Sequence, residues 1–183
     1  MKPNIPQYDR YEANLQTDLQ LLCCQRGWLK GKFIHTDDLE EKWKEIAPEF
    51  LQDAVDQFER YPIATLAWPV YIGMAEAALW DEDWESNRKH GYGFIRGEEG
   101  FDTLDDNIIR NILHLAIDSD TAHAMDAQAE CLANTANSNL RHEGVEPGTS
   151  DAFYLFTRTL RVMYRMGVAL ELTRRGYKWE EVE

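Results

Sequence analysis

Apolar residues recur at helical spacing along most of this chain. Tyr8, Tyr11, Leu15, Leu19, Leu22 and Leu29 form one stripe, which predicts a first helix over 7–29. Leu39, Trp43, Ile46, Phe50, Ala54 and Phe58 form a second. Thr36 or Asp37 is its N-cap candidate, and Glu40, three residues after Asp37, completes a capping-box pattern. The stripe keeps its phase through Pro48, so a kink or a restart with Pro48 in the first turn is expected. Pro62 then opens PIATLAWPVYIGMAEAAL, over 62–79, whose one charge is Glu76. The uncharged run over 62–75 is too short to span a membrane and suits a helix at the centre of a bundle. Pro69 predicts a bend within it.

The pattern breaks over 81–103, a stretch with four glycines that is long for a loop. Within it Tyr92, Phe94 and Arg96 alternate with Gly93 and Ile95, which predicts a short strand or hairpin. Asp102 or Thr103 then caps a helix whose inner residues are Ile108, Ile109, Ile112, Leu113 and Ala116. A weak break at 118–120 separates it from Ala122, Met125, Ala129, Leu132, Ala136 and Leu140. These small residues let a neighbouring helix come close. Gly144, Pro147 and Gly148 mark a turn. Thr149 or Ser150 caps a last helix with Phe153, Phe156, Leu160, Met163, Gly167 and Leu170 inward, and Gly176 ends it. The tail YKWEEVE is expected to be exposed. No repeat or low-complexity linker interrupts the series. The expectation is one all-α domain over 1–183, a bundle of about six helices around the central apolar helix, with a Gly/aromatic loop inserted.

Charge narrows the partners. With 19 Lys and Arg against 33 Asp and Glu, the formal net charge is −14. Nucleic acid and anionic membrane surfaces need a basic footprint and are excluded. A basic protein or a bound cation is compatible. Cys23, Cys24 and Cys131 are odd in number and lack C-x-x-C spacing, so no disulfide framework is expected. The start, MKPNIPQYDRYEANL, has no apolar core of a signal peptide, and a reducing cytoplasm is the expected compartment.

Three constellations could carry chemistry. The first joins Glu76 to His114, Asp118, Asp120 and His123. His114 and Asp118 are four apart and share a face if one helix continues through them. Asp120 and His123 are three apart, the spacing of a carboxylate and an imidazole that ligate one metal. That spacing resembles the acid-x-x-His element of ferritin-like di-iron proteins, but no second such element lies on a plausible core helix. The opposing reading puts Glu76 at the rim of the bundle, beside an arginine, and the aspartates on a solvated face. A buried Glu76 would instead have a raised pKa and mark a site. The second constellation is Arg158, Arg161 and Arg165, in line on one face. It reads as an anion site or, preferably, as ion pairs with acids of a neighbouring helix such as Asp53, Asp56 and Glu59. The third is RKHGYGFIRG, with His90, Tyr92, Phe94 and Arg96. It reads either as a partner-contact loop or as a cover folded onto the bundle end. No nucleophile elbow, H-E-x-x-H or phosphate loop is present.

From Tyr8 to Arg175 the chain resembles an uncharacterised all-helical bacterial family, on LLCCQRGWLKG, WPVYIGMAEAALW and GYGFIRGEEGFD. The resemblance implies a multihelical fold of unassigned activity and transfers no catalytic residue. The leading expectation is a non-enzymatic domain that contacts another protein, an unidentified partner or a second copy in a homodimer, without a cofactor. The alternatives are a bundle that binds a divalent metal, with or without hydrolytic activity, and a small-anion binder.

Overall fold

A computed structural model describes residues 5–31 and 35–178. The end of the tail, 179–183, lies outside them. Helix α1 is Ile5–Gln25, α2 Asp37–Phe58, α3 Pro62–Asn87, α4 Tyr92–Arg96, α5 Leu104–Asn107, α6 Asp120–His142 and α7 Ser150–Arg174. A 3-10 turn, Phe101–Thr103, precedes α5 and a π turn, Ile108–Ile112, follows it. The fold is an all-helical bundle, with no strand among the described residues.

Helix α3 is its axis. It packs most extensively on α7, with α6 and α2 on its other sides, while α1 lies against α7 and α6. From Thr65 to Leu79 nearly every residue of α3 is buried except Trp68, as an apolar helix surrounded on all sides requires. It is the one helix among the described residues long and apolar enough to cross a membrane, and 78% of its apolar window is buried inside the protein, where a core helix belongs.

Two glycines set the α3–α7 spacing. A Cβ added to Gly73 would run into the Tyr164 carbonyl oxygen and lie 2.8 Å from the Val168 nitrogen. A Cβ on Gly167 would run into the Val70 carbonyl and lie 2.9 Å from its Cα. The obstacles are backbone atoms, which cannot rotate aside. The two helices therefore touch backbone to backbone, at a distance only paired glycines allow.

The caps are local. Thr36, Ser119 and Thr149 each accept from the backbone N–H three residues on, Leu39, Ala122 and Ala152, at 3.2 Å. Because Thr36 is the cap, Glu40 falls outside the capping box expected with Asp37 and instead reaches Arg165. Helix α2 runs unbroken through Pro48, which faces solvent, and α3 runs through Pro69. The interruption of α3 is at Asp83, whose backbone is extended and whose carboxylate accepts from Ser86 N–H at 3.3 Å, capping a short final turn.

Three expectations change. The strand over 92–96 is a short helix, because Tyr92 and Ile95, three apart, both turn inward. The helix expected to run to Ala116 ends in a π turn closed by Leu113 N–H to the Ile108 carbonyl at 2.8 Å, and His114 follows at φ 55°. Ala116 is consequently exposed. Phe153, expected inward, is 46% exposed, with its ring edge-on to that of Tyr154.

Gly73→Ala or Gly167→Ala should cost about 3 kcal/mol or more, since neither backbone can yield. Gly93→Ala, in open space on α4, should be neutral or stabilising by about 0.5 kcal/mol. Urea denaturation of the three variants checks the contrast.

Candidate functional site

The arginine row on α7 is a closed electrostatic unit. Glu12 of α1, its side chain only 8% exposed, accepts from Arg158 at 2.5 Å, from Arg161 Nε at 2.7 Å and from Arg165 at 2.8 Å. Arg158 also pairs with Asp9 at 2.6 Å and Arg165 with Glu40 at 2.7 Å. Burial alone would raise the Glu12 carboxyl, but hydrogen bonds from Arg161 and Arg158 and the charges of Arg161 and Arg165 outweigh it and hold it below the usual range. Three carboxylates thus answer three guanidiniums. The positive face that an anion would need is already taken, and the partners are Asp9, Glu12 and Glu40 rather than Asp53, Asp56 and Glu59.

Glu76 is not at the rim. It is fully buried, and neither carboxylate oxygen has a hydrogen-bond partner. No arginine pairs with it. Its position follows from α3 itself, which turns through the middle of the bundle and leaves no solvated side at this level. Burial pushes the carboxyl up to about 8, against the opposing pull of the Lys42 charge, with Glu45 adding a push in the same direction as burial. At neutral pH the group is therefore a neutral carboxylic acid. The cation that acts on it, Lys42 of α2, is itself buried. Lys42 Nζ donates to the Arg88 carbonyl at 2.6 Å and to Glu45 at 3.3 Å, with the Trp84 ring 5.9 Å away. Above it a groove of about 660 Å³ runs between α2 and the end of α3.

The 91–111 corner combines both readings of the aromatic loop. Tyr92 is buried and donates to Asp53 at 2.7 Å, and Arg96 pairs with the same carboxylate at 3.3 Å. Asn107 donates to the Ile95 carbonyl at 2.8 Å, and Trp68 to the Phe101 carbonyl at 2.8 Å. These bonds fasten the corner to the bundle. On the outside Phe94 is 45% exposed and stacks on His90 with ring centroids 3.9 Å apart. Burial and the charges of Lys89 and Lys42 lower the His90 pKa. Beside Phe94 lies a hollow of about 470 Å³ whose wall includes Glu98, Glu99, Asp106 and Arg110.

The metal constellation does not assemble. His114, Asp118, Asp120 and His123 are all exposed, and Glu76 is in the core. The left-handed turn at His114 and the new cap at Ser119 break the helix that His114 and Asp118 were to share. Among the described residues no three His, Cys, Asp or Glu side chains gather to hold a metal ion. Sequence reasoning missed Lys42, Glu12 and Asp53 as inward-facing polar residues. Each falls in phase with an apolar stripe: Lys42 between Leu39 and Ile46, Glu12 between Tyr8 and Leu15, Asp53 three after Phe50. That phase was the available signal.

Among the described residues the fold is an all-helical bundle with the buried, unpartnered carboxyl of Glu76 in its core and the exposed ring of Phe94 at its 91–111 corner. The chain matches no family model, no curated protein and no solved structure. Function is therefore argued from the sites alone.

Two outcomes follow. Glu12→Ala leaves three guanidiniums short of their shared acceptor and should lose roughly 2 kcal/mol or more, between the scales of exposed and buried pairs, by urea denaturation. For Glu76, the folded-state pKa near 8 lies above the ordinary 4.5, so the folded chain keeps a proton the unfolded chain has lost. That contribution is full below pH 4.5 and declines as pH rises towards 8. The stability of Glu76→Gln relative to the parent should accordingly rise between pH 5 and 8, by up to about 1.4 kcal/mol per pH unit.

Proposed function

We propose that this chain is a helical binding domain that offers its 91–111 corner to a basic surface on another protein. The observation that carries the reading is the Phe94–His90 stack, an exposed aromatic held on a firmly anchored short helix beside an acid-walled hollow. Anchored aromatics bury much area at little entropic cost, which is why they recur as interface hot spots. The acids Glu98, Glu99 and Asp106 exceed the one base, Arg110, and the whole chain carries −14. Such a field attracts a lysine- or arginine-rich partner and repels a second copy of the same face. A heterologous partner is thus favoured over the homodimer.

The test compares Phe94→Ser, Glu98→Lys/Glu99→Lys and the parent as bait in salt-graded affinity capture with quantitative mass spectrometry. The expected result is a basic protein that the parent holds, that releases as salt rises, and that both variants lose at least tenfold, with the folding stability of Phe94→Ser changed by less than about 1 kcal/mol. Tyr92→Ser, which removes a buried ring and its bond to Asp53, should instead lose about 3 kcal/mol. Identical capture by the parent and both corner variants would overturn the reading.

A further inference from the structure

A second set of exposed rings lies where the end of α2 meets the start of α7. Phe58 of α2 is half-buried against Phe156 of α7, with ring centroids 4.5 Å apart. One turn before Phe58 on α2 is Val55, and one turn before Phe156 on α7 is Phe153. The Phe153 ring stands edge-on to that of Tyr154 at 5.9 Å, and Tyr154 in turn stacks on the buried ring of Tyr8 at 5.2 Å. Tyr61 stands at the turn from α2 into α3. Val55, Tyr61, Phe153 and Tyr154 are between 37% and 60% exposed, although each adjoins a ring that is itself packed. Rings held in this way lose little freedom when a partner covers them.

This strip is separate from the 91–111 corner. Asp53, which fastens the corner through Tyr92 and Arg96, and Val55 are two residues apart, so they point about 200° apart around α2. The charge is different too. The corner's hollow has three acids against one base, whereas the strip itself carries no charge. At its margin stand Asp56, Glu59 and Arg60, all exposed and none ion-paired within the described residues. Charges of both signs left free beside an uncharged apolar strip suit a partner with the same arrangement, since each copy's Arg60 finds acids on the other. A strongly basic partner would gain nothing from the uncharged strip and would be opposed by Arg60.

Size points the same way. At about 200 Å² for a whole aromatic side chain, the four exposed residues with half-buried Leu51 and Phe58 present roughly 400 Å² of apolar surface. A standard interface covers about 800 Å² per partner, of which somewhat more than half is apolar. The strip is thus of the right extent for the apolar centre of one such interface.

We propose that the α2–α7 strip is a self-association surface, through which two copies of this chain pair about a two-fold axis. Each copy supplies the same patch, as an isologous contact requires. Because the strip and the corner lie on different flanks of α2, the dimer leaves both corners open. The pairing is independent of the corner reading, and either can fail without the other.

Sedimentation velocity of the full chain from low to high micromolar concentration tests it. The parent should pass from the 21.3 kDa of one chain to twice that mass, and should keep the dimer as salt rises because the contact is mainly apolar. Val55→Glu and Phe153→Glu should each weaken pairing at least tenfold, with the urea midpoint measured at low concentration unchanged. They act on two different helices, so if one fails to fold the other decides. Arg60→Glu, which leaves the margin with acids alone, should weaken it less but measurably. Phe94→Ser should dimerise like the parent. A parent that stays monomeric throughout overturns the proposal, as does a dimer that survives both glutamate variants or dissociates in moderate salt. Loss of the dimer in Phe94→Ser would place the contact at the corner and overturn it as well.

Discussion

The structure depends on the place where α3 and α7 touch through Gly73 and Gly167. Closing two helices to backbone contact removes the layer of side chains that would otherwise lie between them. Residues flanking the contact on α3, from Thr65 to Leu79, are then sealed from water by α7 on one side and by α2 and α6 on the others. The same closeness traps Glu76. A bundle with a wider α3–α7 spacing would admit solvent at that level, and the carboxyl would be an ordinary surface acid. Here it has no water-exposed face.

Around this axis the polar residues fall into two kinds. Glu12 with Arg158, Arg161 and Arg165, and Glu171 with Arg174 and Arg175, are saturated: each buried carboxylate has guanidinium donors at 2.5–3.0 Å. They bind α1 to α7 and close the end of α7 on Asp81. Networks of this sort specify how helices sit. Glu76 is the opposite, a buried carboxyl with no donor at all. Function is more readily built on the second kind, because its state changes when a proton is gained or lost.

Much of the fold was legible because burial follows helical phase. The stripes through Leu15, Phe50, Leu132 and Leu160 and the apolar run through Ile72 marked the five long helices, and Thr36 and Thr149 stood among the cap candidates for two of their starts, whereas the Ser119 cap went unread. Less legible were the features that depend on tertiary contact. The uncharged run before Glu76 pointed to a central helix, yet the residue itself was read as peripheral because its own helix face, with Gly73 and Thr65, looked thin. That face is thin because α7 lies directly on it. Small residues there signalled proximity, not exposure. Likewise the alternation of Tyr92, Phe94 and Arg96 imitated a strand, while the anchor that decides the outcome, Asp53, lies 39 residues away from Tyr92. The arginines were rightly expected to pair with acids, but which acids depends on the approach of α1, which no local pattern encodes.

The central claim is that close helix packing holds Glu76 as a neutral acid in the core. Infrared difference spectroscopy of the parent against Glu76→Gln near neutral pH tests it most directly, since the carbonyl stretch of a protonated carboxylic acid is distinct from that of a carboxylate. The account predicts a protonated-acid band in the parent that is missing from the variant. A difference spectrum containing only carboxylate bands would mean that Glu76 is ionised at neutral pH, and would contradict it.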